Sequence, residues 1–154
     1  MSHCQVDYKG FTKHKDLPMT SLPLASAPAR GRTIAYWVTT VLVVAVLGSG
    51  GVGDLLRPPQ VVEIMTHLGY PAYVCVILGV WKVLGVVALL APGTPRLKEW
   101  AYAGTLFDFT GAAASHIAVG DSVGDIVTPL VLTLLAIASW ALRPPSRRLA
   151  GPLL

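Results

Sequence analysis

The run AYVCVILGVWKVLGVVALLA, residues 72–91, carries a single charge, Lys82, in twenty positions. At 1.5 Å per helical residue it matches the roughly 30 Å of a bilayer's hydrocarbon core. An ammonium inside such a run costs about 2.5 to 3.5 kcal/mol on insertion scales, so it calls for a partner. Three further runs have comparable length and apolarity: Ile34 to Val52, Trp100 to Val119 and Ile126 to Leu142. The whole chain is 53% hydrophobic and 13% charged, against about 25% charged in soluble domains. Four such runs in succession leave too little polar surface for a soluble fold. The expected architecture is an all-α membrane protein with four transmembrane helices.

Charge placement gives an expected orientation. Lys9, Lys13, Lys15, Arg30 and Arg32 precede the first run, Arg96 and Lys98 separate the second from the third, and Arg143, Arg147 and Arg148 follow the fourth. Lysine and arginine mark the cytoplasmic side, so both termini are expected there. Tyr36, Trp37, Trp100, Tyr102 and Trp140 then fall near the inner boundary, and Tyr70 and Tyr73 near the outer one. This segregation explains the net charge of +4 without a nucleic-acid partner. Residues 1–32 have scattered Pro, Gly, Ser and Thr and read as a flexible cytoplasmic tail, 33–143 as the helical domain and 144–154 as a second tail. The topology places a membrane between Cys4 and Cys75, the two cysteines, so no disulfide pair is expected.

Between the first two runs, QVVEIMTHLG (residues 60–69) opens after Pro58 and Pro59 and closes on Gly69. Val61, Met65 and Leu68 line one face, and Gln60, Glu63 and His67 the other. A short interfacial helix on the outer surface is expected. GSGGVG, residues 48–53, matches the letters of a dinucleotide-binding turn but follows a membrane helix and lacks a βαβ context. Its glycines instead suit close helix packing.

In the third run, Ala101, Gly104, Asp108, Gly111, Ala112 and Ser115 share one helical face. Small residues let membrane helices approach, and an intramembrane carboxylate should turn inward. The connection PGTPRLKE is short enough to make the second and third runs antiparallel neighbours. Lys82 and Asp108 lie at similar depth, so an intramembrane Lys82–Asp108 pair is expected across faces including Gly79 and Gly85. His116 and Ser115 lie further outward and join Asp54, Glu63, His67, Asp121 and Asp125 as a candidate outer pocket. No metal-ligand spacing such as H-E-x-x-H appears, and no metal site is expected.

HLGYP (67–71), LGVWKVLGVVALL (78–90), RLKEWAYAGTLFDFTGAAASHIAVGD (96–121) and the terminal ALRPPSRR resemble the DoxX-like family of small bacterial four-helix membrane proteins. The resemblance spans about residues 34 to 148. The family's recurring lysine, tryptophan, phenylalanine-aspartate and serine-histidine positions match Lys82, Trp100, Phe107 with Asp108, and Ser115 with His116. It implies a multi-pass protein of the bacterial cytoplasmic membrane. Its namesake relatives include a membrane subunit associated with thiosulfate:quinone oxidoreduction, but the branch resembled here carries no established molecular activity. A quinone is therefore the cofactor to consider, beside the lipid bilayer and other membrane subunits or further copies as partners. Three roles remain open: an accessory or quinone-interacting redox subunit, a small proton-coupled transporter, and a non-catalytic scaffold.

Overall fold

The computed structural model describes residues 30–148, and the expected N-terminal tail, Cys4 included, lies almost wholly outside them. Five α-helices follow one another: α1 (Arg30–Leu56), α2 (Pro59–His67), α3 (Tyr73–Leu90), α4 (Pro95–Val119) and α5 (Val123–Leu142). A 3₁₀ turn, Pro145–Arg147, follows, and no strand occurs among the described residues. Prolines open α2 and α4, where their missing N–H is not needed. Gly120, at φ 77°, closes α4 in the left-handed conformation that glycine adopts freely. By length and composition α1, α3 and α5 can cross a membrane. Helix α4 is longer than α3 or α5, but Asp108, His116 and its serine, threonine and glycine residues make it less apolar.

Buried positions show how the long helices meet. On α1 they are Tyr36, Thr40, Val43, Leu47, Gly51 and Asp54, a single stripe three or four residues apart. Helix α1 packs most extensively on α3 and α4 on α5; α1 also meets α5, and α3–α4 is the least closely packed of these four neighbouring pairs. Val43, Leu47, Leu89, Tyr102, Phe109 and Ala136 form the common core. Two features extend beyond the expected boundaries. Helix α1 begins at Arg30, and it continues past Val52 to carry Asp54 within its last turn.

The expected small face of α4 does not form the tight helix contact. The buried positions of α4 are Lys98, Tyr102, Thr105, Phe109 and Ala113. A methyl group placed on Gly104 or Gly111 would meet nothing within 4 Å. Tyr102 and Phe109 bring more apolar area to the core than glycine or alanine can, and this rotates α4 so that its small residues face open space. Gly79 and Gly85 likewise pack against α1 rather than α4. Gly85 faces Leu47, and Gly79 faces Gly51, Asp54 and Leu55.

The end of the bundle that carries the α3–α4 connection is tied by polar groups. The Lys98 ammonium, 1% exposed, donates to the carbonyls of Ala88, Leu89 and Ala91, satisfying the otherwise open C-terminus of α3. Arg143 donates to Glu99 at 2.7 Å and lies over the Tyr102 ring, and Trp140 donates to the other Glu99 oxygen. Arg147 stacks on Trp37. Tyr102, Ser139 and Thr40 form a buried hydroxyl chain at 2.8 and 2.7 Å. Arg143, the last residue of the expected domain, and Arg147, within the expected tail, therefore both brace the bundle.

The α1–α3 crossing leaves no room for a Cβ at Gly79, where one would approach the Gly51 carbonyl to 2.9 Å and Leu55 to 2.8 Å. Gly79→Ala is expected to destabilise the fold by about 1 to 3 kcal/mol through overpacking, despite alanine's better helix propensity. Unfolding titration in mixed micelles measures this, and an unchanged midpoint would refute the close crossing.

Candidate functional site

Lys82 bridges two carboxylates on different helices. Its Nζ donates to Asp54 Oδ2 on α1 at 2.9 Å and lies 3.6 Å from Asp108 Oδ1 on α4. The second separation is electrostatic contact without a hydrogen bond. With every group ionised the trio carries one net negative charge; with one carboxyl protonated it is neutral. The close crossing explains the arrangement, because the Lys82 Cβ lies against Gly51, and Gly50 leaves room beside the ammonium. Asp54, expected in an outer pocket, is instead 5% exposed and belongs to this trio. Sequence reasoning ended α1 too early because Gly48 to Gly53 look like a helix terminus. The detectable signal was the spacing Leu47, Gly51, Asp54, which continues the buried stripe.

Asp108 and Lys82 also line a cavity of about 490 Å³ between α3 and α4. Apart from Thr105, the rest of its wall is apolar, with Leu84, Gly85 and Ala88 on α3 and Leu97, Ala101 and Gly104 on α4. Trp81, Trp100 and Phe107 form an exposed aromatic rim. The slot follows from the rotation of α4, since the unfilled space beside Gly104 lies between α3 and α4, the least closely packed of the four neighbouring helix pairs. From Leu97 to Asp108 it extends about 16 Å along α4. It offers an apolar guest a long wall and, at one end, a cationic donor and an anionic acceptor.

Of the remaining outer-pocket residues, three converge. His67 Nε2 lies 2.6 Å from Asp121 Oδ1, and His116 Nδ1 lies 2.6 Å from Asp121 Oδ2. With protons on those nitrogens both imidazoles donate to one carboxylate, joining α2, α4 and the α4–α5 turn. Ser115 contacts the Tyr70 hydroxyl at 2.8 Å. Asp125 accepts from Ser122 at the start of α5, and Glu63 is exposed. Asp54, Glu63 and Asp125 therefore do not form one site with the histidines. Among the described residues no group of three His, Cys, Asp or Glu side chains is arranged to hold a metal ion.

Described residues whose regular structure is helical throughout, with three helices apolar enough and long enough to cross a membrane and an ion trio packed among them, define a helical membrane protein. The chain matches the DoxX-like family over residues 38–139, from within α1 to within α5, and belongs to that family. No curated protein and no solved structure matches it.

The two carboxylates of the trio should differ in mutation. Asp54→Asn removes the counter-charge bonded to Lys82 and is expected to cost on the order of 3 kcal/mol. Asp108→Asn, with no hydrogen bond to lose, should cost about 1 kcal/mol or less. Equal losses in unfolding titrations would contradict this division.

The hydrogen bonds from His116 and His67 hold the Asp121 carboxyl below its ordinary range. A carboxyl whose pKa falls on folding contributes stability above its unfolded pKa, and that contribution disappears as pH falls through the lower folded value. Asp121→Asn should therefore lower the melting temperature at pH 7. The gap from the parent protein should close as the pH drops below about 4. A gap that stays constant across a pH series of melting curves would show that the carboxylate is not the cause.

Proposed function

We propose that the chain is a four-span protein of the bacterial cytoplasmic membrane, both termini inside, that binds a lipid-soluble quinone in the α3–α4 slot as an accessory subunit of a membrane redox system. The observation carrying this reading is the slot itself, an apolar wall that ends on Lys82 and Asp108. Its volume falls within the roughly 300 to 1,000 Å³ of small-molecule sites. A quinone carbonyl accepts a hydrogen bond from an ammonium, and a quinol hydroxyl donates one to a carboxylate, so the polar end has a group for each form. The isoprenoid tail matches the wall of Leu84, Ala88, Leu97 and Ala101. Electrons would come from a partner subunit. The exposed rim of Trp81, Trp100 and Phe107 favours entry from the lipid side over the through-bundle path of a proton-coupled transporter. Helix α4 is counted as the fourth span because α3, α4 and α5 alternate across short turns and α4 is 25 residues long.

A scaffold role accounts for part of the trio. The Lys82–Asp54 bond at the Gly51–Gly79 crossing is explained by helix register alone, but register does not require a slot beside Asp108.

Quinones quench tryptophan fluorescence, and Trp81 and Trp100 line the slot. Purified protein in nanodiscs should be quenched saturably by a ubiquinone or menaquinone analogue. Gly104→Leu, which fills open space without disturbing a neighbour, should abolish the saturable component, and Asp108→Asn should weaken displacement of the analogue by its quinol form by about tenfold, because the quinol hydroxyl then meets a neutral acceptor in place of a charged one. Quenching in Gly104→Leu that equals the parent's would overturn the assignment.

A further inference from the structure

Helix α2 is attached unlike the other helices. None of its residues is buried. Val61, Val62 and Met65 are half-buried, whereas Glu63, Ile64, Thr66 and His67 are exposed. The chain turns through the left-handed region on both sides of it, at Arg57 with φ 51° and at Gly69 with φ 82°. Arg57 is the only non-glycine residue in that region among those described, and such a conformation costs about 1 to 2 kcal/mol. Pro58 and Pro59 then stiffen the segment that leads into α2. Two rigid pieces meeting at a strained residue make a hinge.

The far end of α2 is held by side-chain hydrogen bonds. His67 reaches Asp121, and Tyr70, just beyond the helix, reaches Ser115. His116 holds Asp121 from α4, so the carboxylate stays in place whether or not His67 is bound to it. At the near end Val61 rests against Gly53, the residue before Asp54. Cys75 is 0% exposed and lies one helical turn outward of Gly79 on the same face of α3. Since Gly79 faces Asp54 and Leu55 in the last turn of α1, the step back along α3 to Cys75 leads toward the end of α1, where the chain passes into α2.

We propose that α2 is a hinged cover over the outer end of the bundle, latched by Asp121 and Ser115, and that its opening admits water to Cys75 and to the Asp54–Lys82 pair below. Arg57 and Gly69 are the pivots, and the strain at Arg57 is relieved on opening. The cover has few apolar contacts to lose, so the latch bonds set how often it opens. Closed, it keeps the buried pair dry; open, it joins one carboxylate of the trio to the outer aqueous phase. This goes beyond the quinone reading and does not depend on an occupied slot.

The test uses the full chain carrying Cys4→Ser, reconstituted in liposomes, so that Cys75 is the remaining thiol. A water-soluble maleimide reports how often Cys75 is uncovered. The parent should label slowly, and His67→Ala combined with Tyr70→Phe should raise the rate roughly tenfold or more, as loss of a hydrogen bond to a charged group predicts. Tyr70→Phe alone, which removes one hydroxyl, should give a smaller increase and serves if the double variant does not fold. Glu99→Gln, at the opposite end of the bundle, should leave the rate unchanged. Latch variants that keep the parent's melting temperature and labelling rate would overturn the proposal. So would Glu99→Gln labelling as fast as the latch variants, because labelling would then report general loosening.

Discussion

The arrangement depends on the close crossing of α1 and α3 at Gly51 and Gly79. Only where neither helix carries a side chain can the two backbones approach so nearly that the Lys82 Cβ touches Gly51 and its ammonium reaches Asp54. An ammonium in an apolar helix is tolerated when its partner is fixed at bonding distance by rigid backbone. The crossing supplies that rigidity. It also leaves Lys82 able to face α4 while its hydrogen bond is made to α1, which is why Asp108 stands near the charge without being bonded to it.

The slot is the consequence of a competition on α4. One face offers glycine and alanine for close approach, and the adjacent one offers Tyr102 and Phe109 for the core. The aromatic face is buried, in contact with α1 and α5, and Tyr102 gains a hydroxyl partner in Ser139. Helix α4 thereby follows α5, and its small face is left against α3 without filling the gap. The connected ends of α3 and α4 nevertheless stay joined, because Lys98 donates to three terminal carbonyls of α3. The result is two helices fastened at their connection and open along their length, with the ion trio at the far end of the opening.

Several parts of this were legible in the letters. The helical class follows from four long apolar runs, and the short outer helix from Pro58, Pro59 and Gly69. Lys82 and Asp108 were marked by depth in neighbouring antiparallel runs. Asp54 was missed as a partner because six residues of GSGGVG break the apparent helix, whereas in the fold these glycines are the packing surface itself. Lys98 read as one of several cytoplasmic charges, since nothing local distinguishes a cation in water from one capping a helix end. His67, His116 and Asp121 were placed in one candidate pocket and do converge, but the same grouping took in Asp54, Glu63 and Asp125, which face other surroundings.

The sequence by itself determined which segments are helical, that α1, α3 and α5 are apolar enough for a bilayer, and that an unpaired charge in residues 72–91 needed an answer. Those properties are local, set by composition and by periods of three to four residues. Only the tertiary structure decided which carboxylate bonds to Lys82, which face of α4 enters the core, and that a cavity remains between α3 and α4. Each of those depends on helix rotation, and rotation is settled by the summed packing of all the helices at once rather than by any one of them.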